Sequence, residues 1–325
     1  MICPSLGLQG QIMKPFIRAV EIWAPNKDRS LEFGGGLYEG ELEEFREISE
    51  LALFSYDEGL PGKAWAAKHP IILTSFADTY FRRADEAKMF GLTCGIAIPI
   101  FAGDVLKAVL GLLCGSETEQ NVGAIELWHN NADLSHELSL VDGYYGTADT
   151  FEFNSRNMTF PRGYGLPGRA WKADFPVIFS ELGGSQKFLR AEDAAASGIR
   201  FGLAIPYRPN VNLTWVITFL SGSEKPIAHR FEIWKPNTSG DALVFEAGCC
   251  TKRTDLNKIF AGQIVLKGEG TVGESWATGM PVINADLTHD VCAAAKAAIK
   301  VGLRQSIVLP VYRGAELSSV IAWYT

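Results

Sequence analysis

The chain has 325 residues, 47% hydrophobic and 21% charged, with 33 glycines and 15 prolines, a composition that excludes disordered and fibrous classes. The formal net charge is −7 and no dense Lys/Arg cluster occurs, which argues against nucleic acid or an anionic membrane surface as the main partner. No apolar run approaches the roughly 18–20 residues of a membrane-crossing helix. The start Met1-Ile2-Cys3-Pro4 lacks the features of a secretory signal. No membrane insertion is therefore expected, and a cytoplasmic location is, or an organelle stroma if an upstream transit peptide was removed.

In chain order, residues 19–23 alternate and are β-rich, which predicts a strand. A turn cluster over 24–28 and a second strand from Leu31 complete a hairpin. Over 41–54, Leu42, Phe45, Ile48, Leu51 and Leu53 recur at helical spacing and predict an amphipathic helix. Gly59-Leu60-Pro61-Gly62 then feeds a short helix carrying Trp65. A strand over 70–73 follows, then a helix over 82–90 stopped by Gly91. Two apolar strands, over 95–101 and 107–113, close the unit through a turn at Gly103-Asp104.

The same succession returns twice. Glu21-Ile22-Trp23 recurs as Glu126-Leu127-Trp128 and Glu232-Ile233-Trp234, and Gly91/Pro99 recurs as Gly198/Pro206 and Gly302/Pro310. Trp65, Trp171 and Trp276 lie 106 and 105 residues apart (171 − 65 and 276 − 171). That period is far longer than the roughly 20–50 residues of a solenoid repeat, so each copy can own a core. Three domains follow, over 1–117, 118–224 and 225–325. Each is expected to be α+β, an antiparallel sheet with helices on one face.

Residues 163–171, Gly-Tyr-Gly-Leu-Pro-Gly-Arg-Ala-Trp, with Phe188-Leu189-Arg190-Ala191 and the apolar strand from Gly198 to Pro206, resemble GAF domains. They are similar to GAF sensors of bacterial signalling kinases and to the GAF region of plant nitrate-responsive NIN-like regulators. Phe45-Arg46-Glu47-Ile48-Ser49 shares the second likeness. The resemblance implies three tandem GAF-like domains with a ligand pocket between helices and sheet. It also implies long helices before and after each sheet, for which the chain has no room: about nine residues separate Gly115 from Ala124, and about nine separate Gly222 from Phe231.

The closing strands read apolar on both faces, as in Val109-Leu110-Gly111-Leu112-Leu113, so something must cover the second face. Either the copies pack on one another, with strands even exchanged between them, or a partner chain supplies the cover. Candidate pocket positions are Trp65, Trp171 and Trp276 of the Gly-Leu-Pro-Gly helices, and Arg83 and Arg190, which could hold an anion or a salt bridge. Cys94, Phe201 and Gln305, on the strand that floors a GAF pocket, complete the set. Copy three carries Ala294 at the arginine position.

No Cys-His dipeptide of bilin-binding GAF domains, no Asn-Lys-Phe-Asp signature of the cyclic-nucleotide-binding ones and no phosphate-loop ending occurs. The cysteines of copy one do not match the methionine-sulfoxide reductase branch, and the six cysteines read as reduced thiols, with adjacent Cys249-Cys250 a redox candidate. None of the five histidines repeats in register, and no metal, cofactor or catalytic nucleophile is expected. Two readings result: a non-catalytic regulatory or sensory protein of small-molecule-binding modules, with protein association or a homo-oligomer as its output, or a scaffold subunit whose modules have lost their ligands.

Overall fold

A computed structural model describes residues 15–77, 79–115, 123–183, 188–222 and 226–325. Cys3 and the expected boundaries at 117/118 and 224/225 lie outside the described residues. Repeat one is a six-stranded antiparallel sheet of β1 (Ile17–Pro25), β2 (Ser30–Tyr38), β3 (Leu53–Ser55), β4 (Ile71–Leu73), β5 (Leu92–Ala102) and β6 (Val105–Gly115), in the order β3-β2-β1-β6-β5-β4. Repeat two has β7 (Gly123–Asn131), β8 (Glu137–Tyr144), β9 (Thr159–Pro161), β10 (Val177–Phe179), β11 (Ile199–Tyr207) and β12 (Leu213–Gly222). Repeat three has β13 (Arg230–Pro236), β14 (Ala242–Cys250), β15 (Ile264–Leu266), β16 (Val282–Asn284), β17 (Ser306–Arg313) and β18 (Glu316–Tyr324). Both copy the strand order of the first. The expected α+β architecture, three units each with its own antiparallel sheet, is the one observed. Gly115 ends one sheet and Gly123 opens the next, which leaves no room for a long connecting helix.

The helix expected over 41–54 is shorter. A 3-10 turn at Gly40–Leu42 leads into a helix at Glu43–Glu50, and Leu53–Ser55 is β3, a short strand missed in every repeat. Burial explains the change. Phe54 must enter the core, where its ring meets Trp23 edge-on at 4.7 Å, and the strand does this by pairing Leu31 with Phe54.

The pleat divides each opening strand. In β1, Ala19, Glu21 and Trp23 face the helices, while Val20 and Ile22 face the other way. That second face is covered by the other two repeats. Val20, Ile22, Leu110 and Leu112 join Leu127, Leu203, Ile217 and Phe219 of repeat two and Ile233, Leu309, Ile321 and Trp323 of repeat three in one buried cluster. The edge strand β4 packs on β7 and β8 of repeat two, β10 packs on β14 of repeat three, and β16 packs on β2 of repeat one. The same edge-to-hairpin contact, made three times, closes a ring about a pseudo-threefold axis. Burying a side chain of this size contributes about 1.5–3 kcal/mol, so the axial core is a main source of stability. Strand exchange does not occur: Trp128 pairs with Leu140 and Val216, both of its own repeat.

The seam between repeats one and two carries a three-ring stack. His69 lies 3.6 Å from Trp215 on one side and His129 lies 4.0 Å from it on the other. Burial lowers the pKa of both imidazoles below the ordinary 6.5. The unfolded chain therefore binds more protons as pH falls below 6.5, and stability falls with it. A thermal midpoint that drops between pH 7 and pH 5, with a smaller drop in His69→Phe, is the expected result of melts across that range. A flat profile would contradict it.

Candidate functional site

Each repeat buries a glutamate on the helix side of its sheet. Glu21 is placed there by strand alternation, two residues before Trp23, whose indole Nε1–H donates to its carboxylate at 3.0 Å. Tyr38 Oη–H donates to the same carboxylate from β2 at 3.0 Å, and Ser49 Oγ–H donates from the helix at Glu43–Glu50 at 2.9 Å. Arg83, capping the helix at Ala84–Met89, donates through Nη1 and Nη2 at 2.7 and 2.8 Å and also reaches Ser49. Its guanidinium carbon sits 4.9–5.8 Å from the rings of Phe45, Trp23, Phe81 and Phe54. The fork satisfies the carboxylate and the rings satisfy the cation's faces.

Repeat two builds the same cluster. Arg190 Nη2 donates to Glu126 at 2.9 Å, Nη1 pairs with Glu126 and Ser155, and Trp128, Tyr145 and Thr218 donate at 3.1, 3.2 and 3.0 Å. Four rings, those of Phe151, Phe188, Trp128 and Phe160, stand 4.5–5.5 Å from the guanidinium. Burial alone would push both carboxyls up, but the charge and hydrogen bonds of Arg83 and Arg190 outweigh it and hold Glu21 and Glu126 below the usual range.

Repeat three places a cation beside its glutamate by another route, without the hydrogen-bonded fork. Ala294 stands at the arginine position, and the cation comes from Arg230, two residues before Glu232 on the same face of β13. Trp234 and Tyr324 donate to Glu232 at 2.8 and 3.2 Å, while Arg230 lies 4.7 and 5.1 Å from the rings of Phe260 and Tyr324. An ion pair therefore occupies the middle of each helix-side interior.

The sequence-derived candidates fall into three places. Arg83 and Arg190 are the buried cations just described. Trp65, Trp171 and Trp276 stand outside the cages on their helices, Trp65 edge-on to Tyr56 at 5.2 Å and Trp276 under Lys267 at 5.6 Å. Cys94 and Phe201 face the pseudo-threefold axis rather than the helices, and Gln305 lines a cavity between repeats three and one. Sequence reasoning missed Glu21, Glu126, Glu232 and Arg230 as a charge system. The signal was available: a glutamate kept at one position of three apolar strands.

Cys249, Cys250, Cys94, Cys114 and Cys292 are free thiols. Burial pushes the Cys249 thiol up, which disfavours the reactive thiolate. Among the described residues, no group of three or more His, Cys, Asp and Glu could hold a metal ion, and no helix is long and apolar enough to cross a membrane.

The Gly-Leu-Pro-Gly turn acts by close approach. A Cβ on Gly62 would stand 2.2 Å from the Ser55 carbonyl oxygen, and one on Gly168 would stand 2.2 Å from that of Pro161. The missing side chain lets each helix seat against the short strand before it. Gly168→Ala is expected to cost about 1–3 kcal/mol by overpacking, read as a lower urea midpoint.

No protein-family model matches the chain and no curated protein matches it. Solved structures similar to it include a GAF domain of A. aeolicus in an inactive state, 17% identical over 30% of this chain and 58% of that one, with a TM-score of 0.25. A free methionine-R-sulfoxide reductase from Neisseria meningitidis in complex with its substrate is 15% identical over 30% and 52%, at 0.24. A GAF domain/HD domain protein from Geobacter sulfurreducens is 13% identical over 30% and 64%, at 0.26. Each alignment spans less than two thirds of the matched chain. The three repeats share one strand order, and the motif of residues 163–171 resembles that of GAF domains.

Proposed function

We propose that the chain is a non-catalytic protein of regulatory or scaffold type, which works through association with other proteins as one rigid pseudo-threefold body. The observation that carries this reading is the buried Arg–Glu pair in every repeat, at Arg83–Glu21, Arg190–Glu126 and Arg230–Glu232. A small molecule entering the helix side would have to displace a cation already held by a carboxylate and aromatic rings. Separating such a pair leaves a buried charge uncompensated, at a cost of about 3–5 kcal/mol. The cavities found at the seams lie between repeats instead. A cytoplasmic location belongs to the same proposal.

A thermal-shift screen of nucleotides, cyclic nucleotides and amino acids tests it. Ligands that stabilise the chain and lose that effect in Arg83→Ala or Arg190→Ala would overturn the reading. No arginine-dependent shift is the expected result.

A further inference from the structure

We propose that the seam closing the ring, between repeats three and one, binds a small amphipathic carboxylic acid. The three seams are equivalent, so their fillings can be compared position by position. The residue three places after the helix-ending glycine is Cys94, Phe201 or Gln305. Leu37, Tyr144 and Cys249 pair with equivalent residues of the opening strands, Val20, Ile125 and Phe231.

Between repeats one and two, Tyr144 fills the space: its hydroxyl donates to the Gly115 carbonyl at 2.6 Å and Phe16 packs on its ring at 5.2 Å. Between repeats two and three, Phe201 packs on Phe231 at 5.8 Å and a cavity of about 190 Å³ is left. Between repeats three and one, Gln305 and Leu37 supply no aromatic ring, and the cavity is about 550 Å³. That volume lies within the roughly 300–1,000 Å³ range of small-molecule sites.

The lining indicates the chemistry of the occupant. Ile17, Val20, Leu37 and Ile307 offer an apolar wall. Trp323 backs that wall from the core. Arg304 stands at the same cavity with one guanidinium nitrogen on the Ile299 and Leu303 carbonyls, at 3.1 and 3.2 Å. The Gln305 carboxamide oxygen accepts from Thr325 Oγ1 at 3.3 Å, which leaves its N–H₂ to donate elsewhere. Glu39, also in the lining, is held by Arg18 Nε at 2.7 Å. A guanidinium and a carboxamide beside an apolar wall match a carboxylate carrying an aliphatic or aromatic body. Bound there, the acid would tie repeat three to repeat one and tighten the ring. This site is separate from the helix-side interiors and stands whether or not the proposed association does.

The test is isothermal titration of the full chain with octanoate and 4-phenylbutyrate, and with 1-octanol and 4-phenylbutanol as uncharged twins. Gln305→Phe and Leu37→Tyr copy the filled seams, and Arg304→Gln removes the cation at the cavity. Saturable binding of either acid is expected, at least ten-fold weaker for its alcohol and at least ten-fold weaker in Gln305→Phe or Leu37→Tyr. A several-fold loss is expected in Arg304→Gln. If one filled variant does not fold, the other and Arg304→Gln decide. No binding of either acid, undiminished binding in the filled variants, or equal binding of the alcohols would each overturn the proposal.

Discussion

Arg190→Ala is expected to destabilise the chain by about 3–5 kcal/mol, among the largest losses a single substitution here can produce. Arg190 and Glu126 are both fully buried. Removing the cation leaves a carboxylate without its charge partner, and the donors that remain, Trp128, Tyr145 and Thr218, are uncharged. Replacing both members is expected to cost much less. Glu126→Leu combined with Arg190→Met removes two charges whose desolvation nearly cancels their attraction, so the double variant should lose far less stability than Arg190→Ala. Lysine at position 190 should not restore stability, because a point charge cannot reproduce the two-nitrogen fork. Urea unfolding of the three variants and the parent gives each value from its midpoint. A surface pair supplies the contrast. Arg313 and Asp174 join repeats three and two at 3.3 Å with side chains 58% and 30% exposed, and Arg313→Ala should change stability by about 0–1 kcal/mol.

Phe219→Ala is expected to cost about 3–5 kcal/mol as well, by a different mechanism. Phe219 is fully buried on the axial face of β12, and its ring lies 4.7 Å from that of Trp323 in repeat three. Truncation removes apolar contact and opens a cavity where sheets from different repeats meet. The loss should therefore weaken the whole ring and not repeat two alone. If the axial core is shared, probes in repeats one and three should report the same lowered midpoint. A loss seen only by probes in repeat two would mean that the sheets are energetically separate.

Much of this architecture is legible in the sequence because its signals are local and repeated. The alternation of residues 19–23, the Gly-Leu-Pro-Gly turns and the glycines ending the third helix of each copy fix the element order three times over. Apolar residues on both faces of the closing strands reveal that a second face is covered. They do not reveal by what, since a partner sheet and a partner protein bury the same side chains. The short strands at Leu53–Ser55, Thr159–Pro161 and Ile264–Leu266 escape detection because three residues carry too little periodicity to outweigh an adjoining helix pattern.

The buried charge system is legible only in part. Arg83 and Arg190 stand out at equivalent positions, yet their partners lie 62 and 64 residues earlier, across the sheet, where spacing says nothing about contact. Arg230 is hidden further, because it substitutes for its counterparts from a different element, with Ala294 left at their position. Cys94, Phe201 and Gln305 show the limit of pattern reading in another way. Their common register was visible, but a one-residue difference in pleat decides whether a side chain faces helices or axis.

Scanning calorimetry of the full chain tests the shared core most directly. One transition is expected, with calorimetric and van't Hoff enthalpies equal, since no repeat can melt without uncovering the axial faces of the other two. Two or three resolved transitions, each carrying the enthalpy of a repeat-sized unit, would contradict a common core about the pseudo-threefold axis.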